Sequence, residues 1–135
     1  MAAFATLEMY EELARLLQQD PEWSERGQTI SCSMSFRYEE PVAKQFYLRF
    51  VAGRVEEVRE LPLEDVTPTD FVFSGPPEIW RQVFRSEIPP AMAIMGGKLE
   101  IKGKKSWLLQ NMLPFKHVLD TFKKVDLDDG DQSWR

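Results

Sequence analysis

Apolar residues first recur at every third or fourth position, where Phe4, Leu7, Tyr10, Leu13, Leu16 and Leu17 form one stripe and Pro21 stands just beyond it. The spacing predicts an amphipathic helix with a single face to bury. From Thr29 the period drops to two. Ile30, Cys32, Met34 and Phe36 alternate with Thr29, Ser31, Ser33, Ser35 and Arg37, which predicts a strand with one oily and one hydroxyl-bearing face. Beyond Glu39-Glu40-Pro41 a second alternation sets Phe46, Leu48 and Phe50 against Gln45, Tyr47 and Arg49. Ala52-Gly53 then predicts a tight turn into a third strand over 54–60. Pro62 and Pro68 bracket a loop, Asp70 to Ser74 reads as a short fourth strand, and Ser74-Gly75-Pro76-Pro77 opens a helix whose buried side is Ile79, Trp80, Val83 and Phe84.

The next stretch, IPPAMAIMGGKLEIKG over 88–103, is an apolar run interrupted by Gly96 and Gly97, after which Leu99 and Ile101 alternate with Lys98, Glu100 and Lys102. It predicts a short apolar helix, a glycine stop and a half-buried strand. Trp107, Leu108, Met112, Phe115, Val118, Leu119 and Phe122 then keep helical spacing, with Pro114 expected to kink or divide the helix. Helix, strands, helix, short helix, strand and helix together predict an α+β domain with helices covering an antiparallel-rich sheet.

The length of 135 residues suits one domain, residues 1–135, with a core over 5–124 and a frayed acidic tail over 125–135 that contains Asp126, Asp128, Asp129 and Asp131. A net charge of −5, from 22 acids and 17 bases, argues against a nucleic-acid partner. Cys32 is the sole cysteine, which precludes an intrachain disulfide or thiolate cluster and suits a reducing compartment. The N-terminal stretch places acids within its apolar pattern and does not read as a secretory signal, and no run reaches the roughly twenty apolar residues that span a bilayer. The expected location is cytoplasmic.

The aromatic strand QFYLRFVAGRV (45–55), the segment DFVFSG (70–75) before a helix and above all PPAMAIMGGKLEIKG (89–103) resemble the sterol carrier protein type two family, in its stand-alone bacterial form. The likeness extends over roughly residues 5 to 124 and is tightest at 89–103. It implies a five-stranded, mostly antiparallel sheet under helices, with an apolar tunnel between the layers for a fatty acid, acyl-CoA or sterol, and neither catalysis, metal nor cofactor. The chain closes on Gln132-Ser133-Trp134-Arg135, whereas peroxisomal members carry a Ser-Lys-Leu address.

The tunnel lining expected on this basis is Met34, Phe36, Phe46, Leu48, Phe50, Phe73, Trp80, Phe84, Met92, Met95, Leu99, Trp107, Met112 and Phe115. Methionine adapts to irregular guests, and burying an acyl chain gains about 0.8 kcal/mol per methylene. By periodicity alone the same residues read as ordinary core. Lys98, Lys102, Lys104 and Lys105 form a basic cluster able to attract a phosphate or an anionic membrane, or simply a solvated face. His117, with only Asp120 within a helical turn, reads as a hydrogen-bonded or solvated histidine, and Cys32 as a buried inert thiol. The function expected is non-enzymatic lipid binding and transfer, with at most transient membrane contact. The alternative is an interaction or homodimerisation domain with a filled core.

Overall fold

The computed structural model describes residues 3–66, 68–103 and 105–126; the side chains of Ala91, Lys105, Leu108, Leu109 and Met112 lie outside what is described. Thr6 caps the first helix, α1 (Leu7–Gln19), by accepting a hydrogen bond from the Met9 backbone N–H. The helix buries Met9, Tyr10, Leu13, Ala14 and Leu17, the face that its three-four spacing predicts.

Pro21 does more than end that helix. Asp20 accepts a hydrogen bond from the Glu22 N–H at 2.9 Å, and Pro21 occupies the first position of a second helix, α2 (Pro21–Arg26), which the apolar spacing does not predict. Proline is tolerated there because the first turn leaves its N–H groups unpaired in any case. A 3-10 turn at Gly27–Thr29 follows, so strand β1 begins at Cys32, three residues later than the alternation suggested.

β1 (Cys32–Tyr38), β2 (Lys44–Val51) and β3 (Arg54–Pro62) form an antiparallel meander. The β2–β3 turn puts Ala52 and Gly53 at φ 49° and 84°, as two-residue hairpin turns require. A Cβ on Gly53 would lie 2.6 Å from the Gly27 carbonyl oxygen, and the Gly53 carbonyl accepts the Trp23 indole N–H at 2.7 Å. Helix α2 thereby clasps the hairpin tip.

β4 (Phe71–Gly75) joins β1 in parallel, and β5 (Glu100–Gly103) joins β4 antiparallel, giving the order β3-β2-β1-β4-β5. The mostly antiparallel, five-stranded α+β architecture expected from the resemblance is therefore present, with one parallel pair. Register aligns the oily positions into a row, Phe46 opposite Phe36, Phe36 opposite Phe73 and Phe73 opposite Ile101. Over that row pack α1, α3 (Pro77–Phe84) and α6 (Met112–Thr121). The other face is polar. There Gln45 accepts a hydrogen bond from the Ser35 hydroxyl at 2.7 Å and donates to the carbonyls of Pro62 and Asp65.

The glycine pair behaves as its sequence suggests. α4 (Pro90–Met95) stops at Gly96, Gly97 adopts φ 76°, and the N–H groups of Gly97 and Lys98 bond the carbonyls of Ile94 and Ala93. This pattern closes a helix and redirects the chain. Leu99 is thereby buried, while Lys98, Glu100 and Lys102 face solvent.

The C-terminal helical run is divided, but three residues before Pro114. α5 (Lys105–Gln110) ends at Asn111, and Pro114 falls in the first turn of α6. A continuous helix would drive the proline ring into the Gln110 carbonyl and leave that carbonyl without its donor, so the break moves one turn upstream. Of the expected acidic tail, only Val125 and Asp126 are among the described residues.

Candidate functional site

The hydrophobic interior has two parts. In the first, rings pack directly on one another: Tyr10 stacks on Phe46 at 4.6 Å between centroids, Tyr38 on Trp80 at 5.0 Å and Phe84 on Phe122 at 4.4 Å. Tyr10 and Tyr38 also share a buried hydroxyl–hydroxyl hydrogen bond of 2.7 Å. Burial holds both phenols well above their ordinary ionisation range, so they stay neutral.

The second part lies at the β5 edge. An apolar groove of about 290 Å³ opens between α4 and α6. Its walls are Pro89, Pro90, Ile94 and Met95 on one side and Phe115 and Leu119 on the other, above Phe73 and Ile101 of the sheet. Lys116, Asp120 and Lys123 stand at its rim, and Asp120 pairs with Lys116 at 2.9 Å and with Lys123 at 3.8 Å. The volume falls at the lower edge of the range of small-molecule pockets, about 300–1,000 Å³. It exists because α4 spans six residues and β5 four, too short to cover the end of the aromatic row.

The structure distributes the expected lining between these two parts. Met95 borders the groove from its exposed lip, while Phe73 and Phe115 border it as members of the buried core, Phe73 stacked on Phe36 at 5.2 Å. Met34, Phe36, Phe46, Leu48, Phe50, Trp80 and Phe84 lie in the packed core. Leu99 is buried with its side chain against Gly75, and Trp107 is half-buried with its ring 5.0 Å from Phe71 and 5.5 Å from Phe115. Met92 is exposed, and the side chain of Met112 lies outside the described residues. Ile94, Ile101, Leu119, Lys116 and Lys123 border the groove although the expected lining does not include them. The three apolar ones sit in correctly periodic positions that carry no mark of openness.

His117 makes a contact that chain proximity could not disclose. Its Nε2 lies 2.6 Å from the Asp20 carboxylate, 97 residues away, and its Nδ1 lies 3.5 Å from an Arg26 guanidinium nitrogen. The ring is buried against Trp23, so the contact fastens α6 to the start of α2. Burial acts to raise the Asp20 carboxyl, but hydrogen bonds from His117 and the Glu22 N–H outweigh it and hold the group below its usual value. A polar cleft of about 370 Å³ lies beside this junction, bordered by Arg26, Lys116 and Lys124 together with Glu22 and Asp120.

Cys32 is buried, and burial, assisted by the Asp70 charge, pushes its thiol up to about 12. A thiol held there is protonated and a poor nucleophile at neutral pH. Of the four lysines proposed as a basic cluster, Lys98 is exposed and Lys102 pairs with Glu100 at 3.5 Å. Lys104 and the Lys105 side chain lie outside the described residues. Among the described residues no helix is long and apolar enough to cross a membrane.

Comparison with known proteins bears on the same architecture. Residues 13–116 match the model of the SCP-2 sterol transfer family. A crystal structure of sterol carrier protein 2 superposes with a TM-score of 0.79 at 20% identity, covering 90% of this chain and 98% of that one. A conserved hypothetical protein from Thermus thermophilus, itself described as a candidate sterol carrier protein, gives 0.79 at 17% identity, with 96% and 95% covered. Sterol carrier protein-2 like-3 from Aedes aegypti gives 0.58 at 18% identity, with 85% and 99% covered. No curated protein sequence matches the chain. At these identities the superpositions speak to the fold.

Proposed function

We propose, on the premise that the chain belongs to the SCP-2 sterol transfer family, that it binds and carries an acyl lipid whose tail lies in the α4–β5–α6 groove. The observation that carries the reading is the groove itself, apolar along its walls and floor, with its charged groups, Lys116, Lys123 and the Asp120 between them, at the rim. Each methylene moved from water into it contributes about 0.8 kcal/mol, and Lys116 and Lys123 offer charge to a carboxylate or phosphate head. Phe73, Ile94, Met95, Ile101, Phe115 and Leu119 are the residues assigned to the tail. Met95 is nearly fully exposed, and its unbranched side chain can fold over guests of different shape.

The role is carriage without catalysis. Its support is that the Cys32 thiol is held protonated and that the imidazole is committed to Asp20 and Arg26. Native mass spectrometry of freshly purified protein, followed by organic extraction, tests the reading. Copurifying acyl lipid, together with uptake of a fluorescent fatty acid that Ile101→Trp or Met95→Trp abolishes in a folded protein, is the expected result. Uptake unchanged by both variants would remove the groove as the site.

A further inference from the structure

We infer that the groove selects a single acyl chain of medium length, about eight to twelve carbons, and that Phe115 sets this limit by closing the inner end of the groove. The inference rests on the carrier reading above and narrows its ligand to one class.

Behind Phe115 the interior is occupied. Its ring lies 5.1 Å from that of Phe71 and 5.5 Å from that of Trp107, and those two rings are 5.0 Å apart. Beneath the floor, Phe73 stacks on Phe36 at 5.2 Å with the ring planes 8° apart. On the β5 side the Leu99 side chain fills the space beside Gly75, where an added Cβ would come within 2.4 Å of it. A chain entering between α4 and α6 thus runs into packed side chains among the described residues. Phe115 belongs both to the groove wall and to the ring cluster with Phe71 and Trp107, so it is the stop between them.

Two measures of the groove agree on how much chain it holds. Its volume is about 290 Å³, and a methylene takes up about the 30 Å³ of a liquid water, which gives about ten carbons. Along α6 and the turn after it, Phe115 to Lys123 covers about 12 Å at about 1.5 Å per residue. An extended chain advances about 1.3 Å per carbon, the axial part of a bond of about 1.5 Å, so a carboxylate at Lys123 places about the tenth carbon against Phe115. A sterol carries about 27 carbons, most of them in rigid fused rings that cannot bend past the stop.

Competition against a bound fluorescent fatty acid tests the limit, using saturated acids from about six to about eighteen carbons together with cholesterol. Affinity should rise about fourfold for each methylene, the equivalent of about 0.8 kcal/mol, and level off near ten carbons. Phe115→Leu, which removes the ring but keeps an apolar side chain, should move the levelling point up by about two to four carbons. Ile94→Phe, at a half-buried position on the opposite wall, should move it down by a similar amount. Thermal unfolding establishes that each variant is folded, and Ile94→Phe carries the test if Phe115→Leu is not.

A rise that continues to sixteen carbons or beyond, or cholesterol competing as well as the ten-carbon acid, overturns the length limit and leaves the carrier reading intact. A levelling point that neither folded variant moves overturns the role given to Phe115 and the groove walls. Absence of binding by every acid rejects the carrier reading itself, and the length limit with it.

Discussion

The aromatic centre and the β5-edge groove are built from the same residue types and differ in how completely they are covered. Phe36 and Phe46 lie on interior strands with a neighbour on each side, roofed by α1, α3 and α6, and each meets other rings. At Phe73 and Ile101 the sheet reaches its last, four-residue strand and the roof is a six-residue helix. Close ring packing therefore concentrates in one region, and the apolar groove opens in the other.

Truncation should separate the regions most sharply. Trp80 is fully buried, stacks on Tyr38 and donates its indole N–H to the Arg37 carbonyl at 2.9 Å. Trp80→Ala should cost about 3–5 kcal/mol in denaturant unfolding. Met95→Ala, at the exposed lip, should stay within about 0.5 kcal/mol while weakening acyl-lipid uptake. Equal costs at the two positions would erase the distinction.

The junction between α2 and α6 should respond next. Asp20→Ala removes both the helix cap and the partner of a buried imidazole, and should cost about 2 kcal/mol. The pH dependence has a definite sign. Folding depresses the Asp20 carboxyl, so its stabilisation is complete above the unfolded value near pH 4 and is lost as pH falls through the lower folded value. Acid titration of unfolding stability should show that loss in the parent chain and a flatter profile in Asp20→Ala.

A smaller change is expected at the hairpin tip, remote from both regions. Gly53→Ala meets the Gly27 carbonyl at 2.6 Å and must hold positive φ, for a loss above about 1 kcal/mol without altered lipid uptake. The greatest effect on binding belongs to Ile101→Trp, half-buried on the groove floor. Its unfolding midpoint should remain close to that of the parent while a fluorescent fatty acid no longer binds.

Much of this was legible from local pattern. Period-two alternation located β1, β2 and β4 to within a few residues, because a strand half-covered by helices must present one face consistently. Asp20-Pro21 carries a helix-start signature, a capping carboxylate before a proline, which the end of the preceding stripe at the same point masks. Phe73, Met95 and Phe115 were named as lining together with eleven other residues, most of which proved to lie in packed core. Periodicity reports which face is apolar and is blind to whether that face is fully roofed.

The sequence by itself thus determined the α+β class, the strand faces, the glycine stop after α4 and the oily character of the interior, since each follows from local propensity and spacing. Tertiary structure alone decided the parallel β1–β4 pairing, the Asp20–His117 fastening across 97 residues, and which part of the interior lies open. The reason is physical. Openness depends on how far α4 and α6 reach over a four-residue edge strand, and that is set by elements meeting in space rather than by any run of neighbouring residues.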